Sequence, residues 1–240
     1  MKINPLLVYW RPKDLPKVID NLKKIPCDQL WINYFPYPYP QRITNNFFKN
    51  HKEYTHLIIV PNDLVATKEV YLKLYDLVGK NDFEVCCGVC NVDNGKYKDK
   101  LVITSNLPVI GPYHERRYFW ISKNRYPNMI IQPPFAGHPM MWIKRSVMEK
   151  IGGLWVIPID KKNKEGWPLW EKSGGYASDL ALAHSLAKHN IKINCYTGAM
   201  MEHDRFYGEM LVGKKLPKVE FLKYNANLEH EPKEQVCSLR

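Results

Sequence analysis

The sequence predicts an α/β fold, a three-layer αβα sandwich in which helices cover both faces of a mostly parallel central sheet. Short apolar runs of strand length alternate with segments whose apolar residues recur at helical spacing over the first 93 residues. The chain has 240 residues, which is enough for one such domain with a substantial core. In sheets of this kind ligands bind beyond the carboxyl ends of the strands, so residues at those ends are the first candidates for function.

The first half of the chain alternates strand and helix signals. The apolar run 4–10 predicts a strand, and His56–Val60 is the clearest buried strand. The Pro-rich segment 36–40 interrupts the pattern, because proline donates no backbone hydrogen bond. Gly79 is the predicted end of a helix. The predicted elements are strands over 4–10, 29–35, 56–60 and 85–92, with helices over 15–22, 42–50 and 67–78.

The second half is less regular. Strands are predicted over 101–104, 118–122, 140–143 and 191–196, with helices that begin near Ser146 and at Ser178. We expect a single domain over 1–210, with one half over 1–93 and the other over 94–210. Residues 211–240 read as a polar, loosely attached C-terminal tail.

Composition narrows the class of protein. The apolar fraction of 45% and the charged fraction of 25% are those of an ordinary globular chain. A formal charge of +11 favours anionic partners or a solvated basic surface. The basic residues form no run of five, so nucleic acid is an unfavoured partner. No stretch approaches about 18 uncharged apolar residues. We therefore expect a cytoplasmic protein, with peripheral membrane contact through basic residues left open.

The cysteine pattern has a structural explanation. Cys87-Gly-Val-Cys90 has the spacing of a redox or zinc motif, but its apolar surroundings predict a buried strand. No second pair of cysteines or histidines completes a four-ligand zinc site. Buried, reduced thiols are the preferred interpretation.

Three motifs resemble those of a known enzyme family. The first is a strand that ends in Asn62-Asp63, and the second is the segment 135–153, which predicts a small-residue turn, a strand, a basic residue, a helix and Gly-Gly. In the third, 176–180, an acidic residue opens a helix. In this order, over roughly 6–206, they resemble the divergent family 2-like glycosyltransferases of the GT-A type.

The resemblance implies a nucleotide-sugar-dependent transferase that moves a sugar to an acceptor hydroxyl with the help of Mn²⁺ or Mg²⁺. The acceptor would be a glycan, a lipid-linked sugar or a protein. The resemblance also implies that 1–210 is one catalytic domain, with 1–93 as its nucleotide-binding half and 94–210 as its acceptor half. Asp179 matches the acid that removes the acceptor proton in inverting members. The implied nucleotide-sugar-binding residues are Tyr9, Trp10, Arg11, Asn33, Tyr34, Asn62 and Asp63; the implied acceptor or sugar residues are Phe135, Ala136, Gly137, His138 and Trp170; and the implied metal ligands are Asp63 and His203.

Each assignment has a structural alternative. Trp10 also suits a core, and an acid after a strand, such as Asp63, also suits a turn. An acid in the first turn of a helix, such as Asp179, is favoured by the helix dipole whatever its function. The family pattern often has two carboxylates where this chain reads Asn62-Asp63-Leu64. Either metal affinity is low, or basic residues such as Arg205, Lys214 and Lys215 offset part of the phosphate charge.

Two other functions compete with sugar transfer. A nucleotidyltransferase of related fold would also bind nucleotide and metal, but the loop after the first strand, 9–12, lacks a Gly-rich phosphate cradle. A basic nucleic-acid-binding protein would show affinity that falls steeply with salt. A nucleotide-sugar enzyme would instead bind free nucleoside diphosphate in a metal-dependent way.

Overall fold

A computed structural model describes residues 2–10, 15–33, 39–61, 64–90, 100–106, 116–122, 128–133, 136–154, 157–158, 176–203 and 219–225. These residues form an α/β fold of strands and helices. In chain order the elements are β1 (Pro5–Trp10), α1 (Pro16–Leu22), β2 (Asp28–Ile32), α2 (Tyr39–Asn50), β3 (His56–Val60), β4 (Leu64–Val65), α3 (Lys68–Asn81), β5 (Val85–Cys90), β6 (Lys100–Asn106), β7 (Arg116–Ser122), β8 (Ile130–Ile131), β9 (Met141–Lys144), α4 (Arg145–Lys150), β10 (Ile157–Pro158), β11 (Tyr176–Ala177), α5 (Ser178–Lys188), β12 (Asn194–His203) and β13 (Val219–Leu222).

The described strands build a nine-stranded mixed sheet in the order β13-β2-β1-β3-β9-β5-β12-β4, with β8 paired to β12. Strands β1, β2, β3, β5 and β12 all point the same way. Strand β9 runs antiparallel between β3 and β5, and β4, β8 and β13 are also antiparallel to their neighbours. The α/β class is confirmed, whereas the sheet is more mixed than predicted, because four short strands run against the main direction. Two small hairpins, β6–β7 and β10–β11, lie outside the large sheet.

Side chains of β1 alternate between two cores, one on each face of the sheet. Leu6, Val8 and Trp10 belong to one core, and Leu7 and Tyr9 belong to the other. Because every residue of β1 is buried, its sequence is a continuous apolar run instead of an alternating one. Helices α2, α4 and α5 supply residues to the first core, and α1 and α3 supply residues to the second. Helices therefore pack on both faces of the sheet.

The topology reverses at β1. Its parallel neighbours are β2, on one side, and β3, on the other. The chain therefore continues to one side of β1 in β2 and to the other side in β3, and a crevice is expected beyond the carboxyl ends of β1 and β3. These ends are Trp10 and Val60. We refer to this side of the sheet as the carboxyl edge and to the opposite side as the amino edge.

Several element boundaries differ from the predicted ones. Helix α2 begins at Tyr39, three residues earlier than predicted, because Pro40 lies in its first turn, where a missing backbone N–H costs nothing. Helix α3 continues through Gly79 and ends at Asn81, and its C-cap residue Asp82 adopts the left-handed conformation with φ of 50°. A Cβ on Gly79 would lie 3.3 Å from Ile3 Cδ1, so this glycine serves close packing and not helix termination. Gly152 and Gly153, with φ of 76° and 92°, follow α4 as predicted.

The chain beyond residue 210 contributes a strand that was not predicted. Val219–Leu222 pairs antiparallel with β2 and forms an edge of the large sheet. Leu222 is buried in one core, and Phe221 packs against the other. Val219 also packs against the same core as Phe221, so apolar side chains of this strand contact the cores on both faces of the sheet although the surrounding sequence is polar.

The prediction for the Cys-x-x-Cys segment is confirmed, because Cys87 and Cys90 both lie in strand β5. Cys87 and Cys195, on adjacent strands, are free thiols with their Sγ atoms 3.0 Å apart. Burial raises the pKa of the Cys87 thiol well above its ordinary value, and burial also raises the pKa of Cys86 to about 12. The Cys86 and Cys87 thiols are therefore protonated core groups. Within the described ranges, no helix is both long enough and apolar enough to span a membrane.

Candidate functional site

The candidate site begins at Trp10, the last residue of β1. The indole Nε1 donates a hydrogen bond to Thr44 Oγ1 over 3.3 Å, and the Thr44 hydroxyl donates to the Pro40 carbonyl over 2.7 Å. These two bonds tie the carboxyl end of β1 to the first turns of α2. Trp10 is 7% exposed, so most of its side chain is packed in the core and only a small part of it faces the site.

A turn over residues 136–140 crosses the carboxyl ends of β3 and β5. Its Pro139 carbonyl accepts a hydrogen bond from Gly88 N of β5 over 2.9 Å, and the strand that follows it pairs Met141 with Ile59 of β3. Met140 has a φ of 48°, an uncommon conformation for a residue with a long side chain. Backbone strain of this kind costs on the order of 1–3 kcal/mol and concentrates at functional sites. The turn is thus held in a costly shape at the predicted binding edge.

Histidine 138 lies in this turn against Trp10. The two rings meet edge to face, with centroids 6.1 Å apart. His138 is only 4% exposed, and within the described part of the chain its Nε2 is buried without a hydrogen-bond partner. Burial lowers the pKa of this imidazole, and the Asp179 carboxylate opposes that effect in part. A neutral imidazole with an unsatisfied ring nitrogen is ready to bond a ligand group, and without one it costs stability.

Asp179 reaches the same place from the first turn of α5. A Cβ built on Gly137 would lie 3.9 Å from Asp179 Oδ2, so the carboxylate stands over the bare backbone of the turn. Asp179 is half-buried. A side chain at position 137 would contact the carboxylate and crowd the space beside it. The small residue therefore leaves room for a group to approach Asp179.

Gln41 is a further candidate that the sequence did not indicate. It lies in the first turn of α2, three residues before Thr44, and so shares the face of the helix that contacts Trp10. Its side chain is 1% exposed, and neither its amide nitrogen nor its amide oxygen has a hydrogen-bond partner among the described residues. Nothing in the sequence separates it from an ordinary helical glutamine.

The residues assigned to nucleotide binding do not all lie on the same face of the sheet. Tyr9 is completely buried and packs edge to face on Trp31, with centroids 5.9 Å apart, in the core on the other face from Trp10. Its side chain therefore points away from Trp10 and His138, into the core that also holds Met140 of the turn. Asn33 directly follows β2 at the carboxyl edge. Arg11 and Tyr34 lie outside the described residues.

The predicted metal ligands are described only in part. Asn62 and Asp63 lie outside the described residues, as do Phe135 and Trp170. His203 is the last residue of β12 and not a residue after it, because that strand is longer than predicted. Its backbone pairs with Leu64, the residue after Asp63 in the sequence. Among the residues that the structure describes, no group of three or more His, Cys, Asp and Glu is placed to hold a metal ion.

One exposed ion pair is described at this edge. Lys17, near the start of α1, donates to Glu202 at the end of β12 over 2.6 Å, and both side chains are more than half exposed. A pair of this kind contributes little to stability, since water screens it. It does connect α1 to β12 across the carboxyl edge.

Comparison with known proteins adds little. No family model matches the chain, and no curated protein matches it. Among solved structures, it is similar to the crystal structure of A197 from STIV, with 13% sequence identity and a TM-score of 0.49 over 99% of this chain and 98% of that one. A likeness at this level carries no inference about activity.

Proposed function

We propose that the protein is a nucleotide-sugar-dependent glycosyltransferase of the GT-A type, with its site at the carboxyl edge of the sheet. One observation carries the proposal. Asp179 and the neighbouring residues Gly137 and His138, assigned from two separate motifs, lie together beside Trp10 at the end of β1. The reversal of topology at β1 and the helices on both faces support the same assignment.

In the proposed reaction the acceptor hydroxyl oxygen attacks the anomeric carbon of the donor sugar. The bond from that carbon to the diphosphate oxygen breaks, and nucleoside diphosphate leaves with the electron pair. Asp179 accepts the hydroxyl proton as the new bond forms. Gly137 leaves space beside the carboxylate for the acceptor, and the neutral His138 offers Nε2 to a sugar hydroxyl.

A divalent metal fits this proposal through the predicted ligands Asp63 and His203. The pairing of His203 with Leu64 supports the assignment, because it joins β12 to the strand that follows the Asn62-Asp63 dipeptide. A carboxylate with an imidazole suits Mn²⁺ better than Mg²⁺. When bound, the cation would neutralise negative charge on the leaving diphosphate.

The proposal is tested by binding and turnover together. Thermal unfolding is followed with nucleoside diphosphates and nucleotide sugars, each with and without Mn²⁺, because a ligand of the folded state raises the melting temperature. We expect metal-dependent stabilisation that Asp63→Ala removes and Asp179→Ala largely spares, with turnover lost in both variants. Stabilisation by polynucleotides alone, lost steeply as salt rises, would instead identify a nucleic-acid-binding protein.

A further inference from the structure

A cavity of about 620 Å³ opens at the amino edge of the sheet, opposite the candidate site. Its walls are the starts of β1 and β2, the segment between α2 and β3, one face of α3 and the end of β13. Its volume lies within the range of about 300–1,000 Å³ that is typical of small-molecule sites. We refer to it as the amino-edge cavity. Nothing in the proposed sugar transfer uses it.

Four tyrosines and a phenylalanine are among the residues that line the amino-edge cavity. Tyr75 and Tyr224 are 36% and 40% exposed, and Leu72, which also lines the cavity, is 46% exposed. In the described part of the chain, these are three of the six large apolar side chains that are exposed. Tyr54 and Tyr71 line the same space and are buried. Exposed rings gathered around one concavity are a stacking surface, whereas exposed rings scattered singly are not.

Charged groups of both signs stand among these rings. The Asp28 carboxylate accepts a hydrogen bond from the Tyr54 hydroxyl over 2.6 Å and another from the Tyr224 backbone N–H over 2.7 Å. Glu53 Oε1 is 2.9 Å from His51 Nδ1. Burial raises the pKa of the Tyr54 hydroxyl above its ordinary value, and the hydrogen bond to Asp28 raises it further. This hydroxyl therefore stays protonated and remains a hydrogen-bond donor. Lys223 completes the set with an ammonium group.

This combination selects among ligand classes. The carboxylates of Asp28 and Glu53 repel an anion, and the ammonium group of Lys223 offsets one of their two charges, so the lining attracts an organic cation only weakly. A neutral ligand with an apolar face and many hydroxyls uses every part of it. Its face would stack on tyrosine rings, and its hydroxyls would donate to the carboxylates and accept from Lys223. A sugar ring has this chemistry.

We propose that the amino-edge cavity is a saccharide-binding site, separate from the carboxyl edge, with Tyr75 and Tyr224 as its stacking rings. The inference does not depend on glycosyl transfer, because it rests on different residues at the opposite edge of the sheet.

Saturation-transfer NMR on the full chain tests the inference. The probes are glucose, galactose, mannose, N-acetylglucosamine, maltose and cellobiose. We expect at least one probe to bind, and we expect Tyr75→Ala and Tyr224→Ala each to weaken its affinity about tenfold through loss of a stacked ring. Tyr75→Phe retains the ring and should bind within about twofold of the parent chain. Asp179→Asn should leave this binding unchanged.

Controls separate this site from general surface binding. Met200 is also 40% exposed but does not line the cavity, so Met200→Ala should bind the saccharide as the parent chain does. The inference is overturned if no saccharide binds, if the tyrosine variants bind as well as the parent chain, or if Asp179→Asn abolishes the signal. Binding of tetramethylammonium or inorganic phosphate that Tyr75→Ala removes would also overturn it, because the cavity would then select a charged ligand.

Discussion

Replacing Gln41 by methionine should make the protein more stable and less able to bind its ligand. The amide of Gln41 is buried with neither polar atom paired in the described structure. A buried polar group without a partner costs about 1–3 kcal/mol. Methionine has nearly the same helix propensity as glutamine and has no amide, so α2 is expected to be preserved. Counting about 2 kcal/mol for the two atoms together, the melting temperature should rise by about 4–8 °C.

Gln29 provides a matched control, because it is an equally buried glutamine whose amide is fully used. Its Nε2 donates to the Leu22 carbonyl over 2.8 Å, and its Oε1 accepts from Trp31 Nε1 over 2.9 Å. Gln29→Met would leave these partners unpaired, at a cost of about 3 kcal/mol, and should lower the melting temperature by about 6–12 °C. The same substitution is therefore expected to change stability in opposite directions at the two positions.

The assay is thermal unfolding of the parent chain and both variants, first alone and then with nucleotide sugar and Mn²⁺. Without ligand, we expect Gln41→Met to have a higher melting temperature than the parent chain. With ligand, we expect its melting temperature to rise by less. This combination is typical of a residue that serves binding and lowers stability. If Gln41→Met instead melts several degrees lower than the parent chain, its amide is satisfied in the folded protein. The reasoning from unpaired polar atoms, which also covers His138, would then fail.

Two further predictions concern the fold. Gly88→Ala should destabilise the protein by about 3 kcal/mol or more and lower its melting temperature. A Cβ at this position would lie 2.3 Å from the Ala199 carbonyl oxygen, a backbone atom that cannot rotate away as a side chain can. An unchanged melting temperature would show that β5 and β12 can move apart at no cost. The pKa of His56 is lowered to about 4 by burial and by Lys144, against the opposing charge of Asp82, so protonation favours the unfolded state. The free energy of unfolding should therefore fall by up to about 2 kcal/mol as pH drops from about 6.5 towards 4. Urea denaturation at several pH values should show a smaller fall for His56→Gln over that range. An equal fall in the variant and the parent chain would contradict this assignment.

The order of the first elements could be predicted because local signals agreed there. The run at 57–60 is apolar throughout, as expected for a strand buried on both faces, and Thr67 caps α3 with its side chain accepting from Val70 N. The direction of β9 could not be predicted. Its sequence specifies a buried strand, whereas its antiparallel direction depends on how 128–140 crosses the edge of the sheet. The end of β12 was missed because Glu202 and His203 are polar although paired with β4.

The candidate site was predictable to the extent that its chemistry is carried by local motifs. Asp179 at a helix start and the small-residue turn at 137–138 were both assigned from sequence, and the structure brings them together. The role of Tyr9 depends on which face of β1 it occupies, and a run buried on both faces gives no periodicity from which to tell. The candidacy of Gln41 depends entirely on missing hydrogen bonds, a property of the packed structure that no sequence pattern reports.

Asp179→Asn tests the proposed reaction most directly, with turnover and donor binding measured on the same preparation. Release of nucleoside diphosphate from a nucleotide sugar is followed in the presence of acceptor, beside an Asp76→Asn control that alters an exposed carboxylate on α3. We expect the Asp76 variant to match the parent chain. The Asp179 variant should bind donor with unchanged affinity and lose turnover by about a hundredfold or more, since it has no group to take the acceptor proton. Transfer at the parent rate by Asp179→Asn would contradict its assignment as the base.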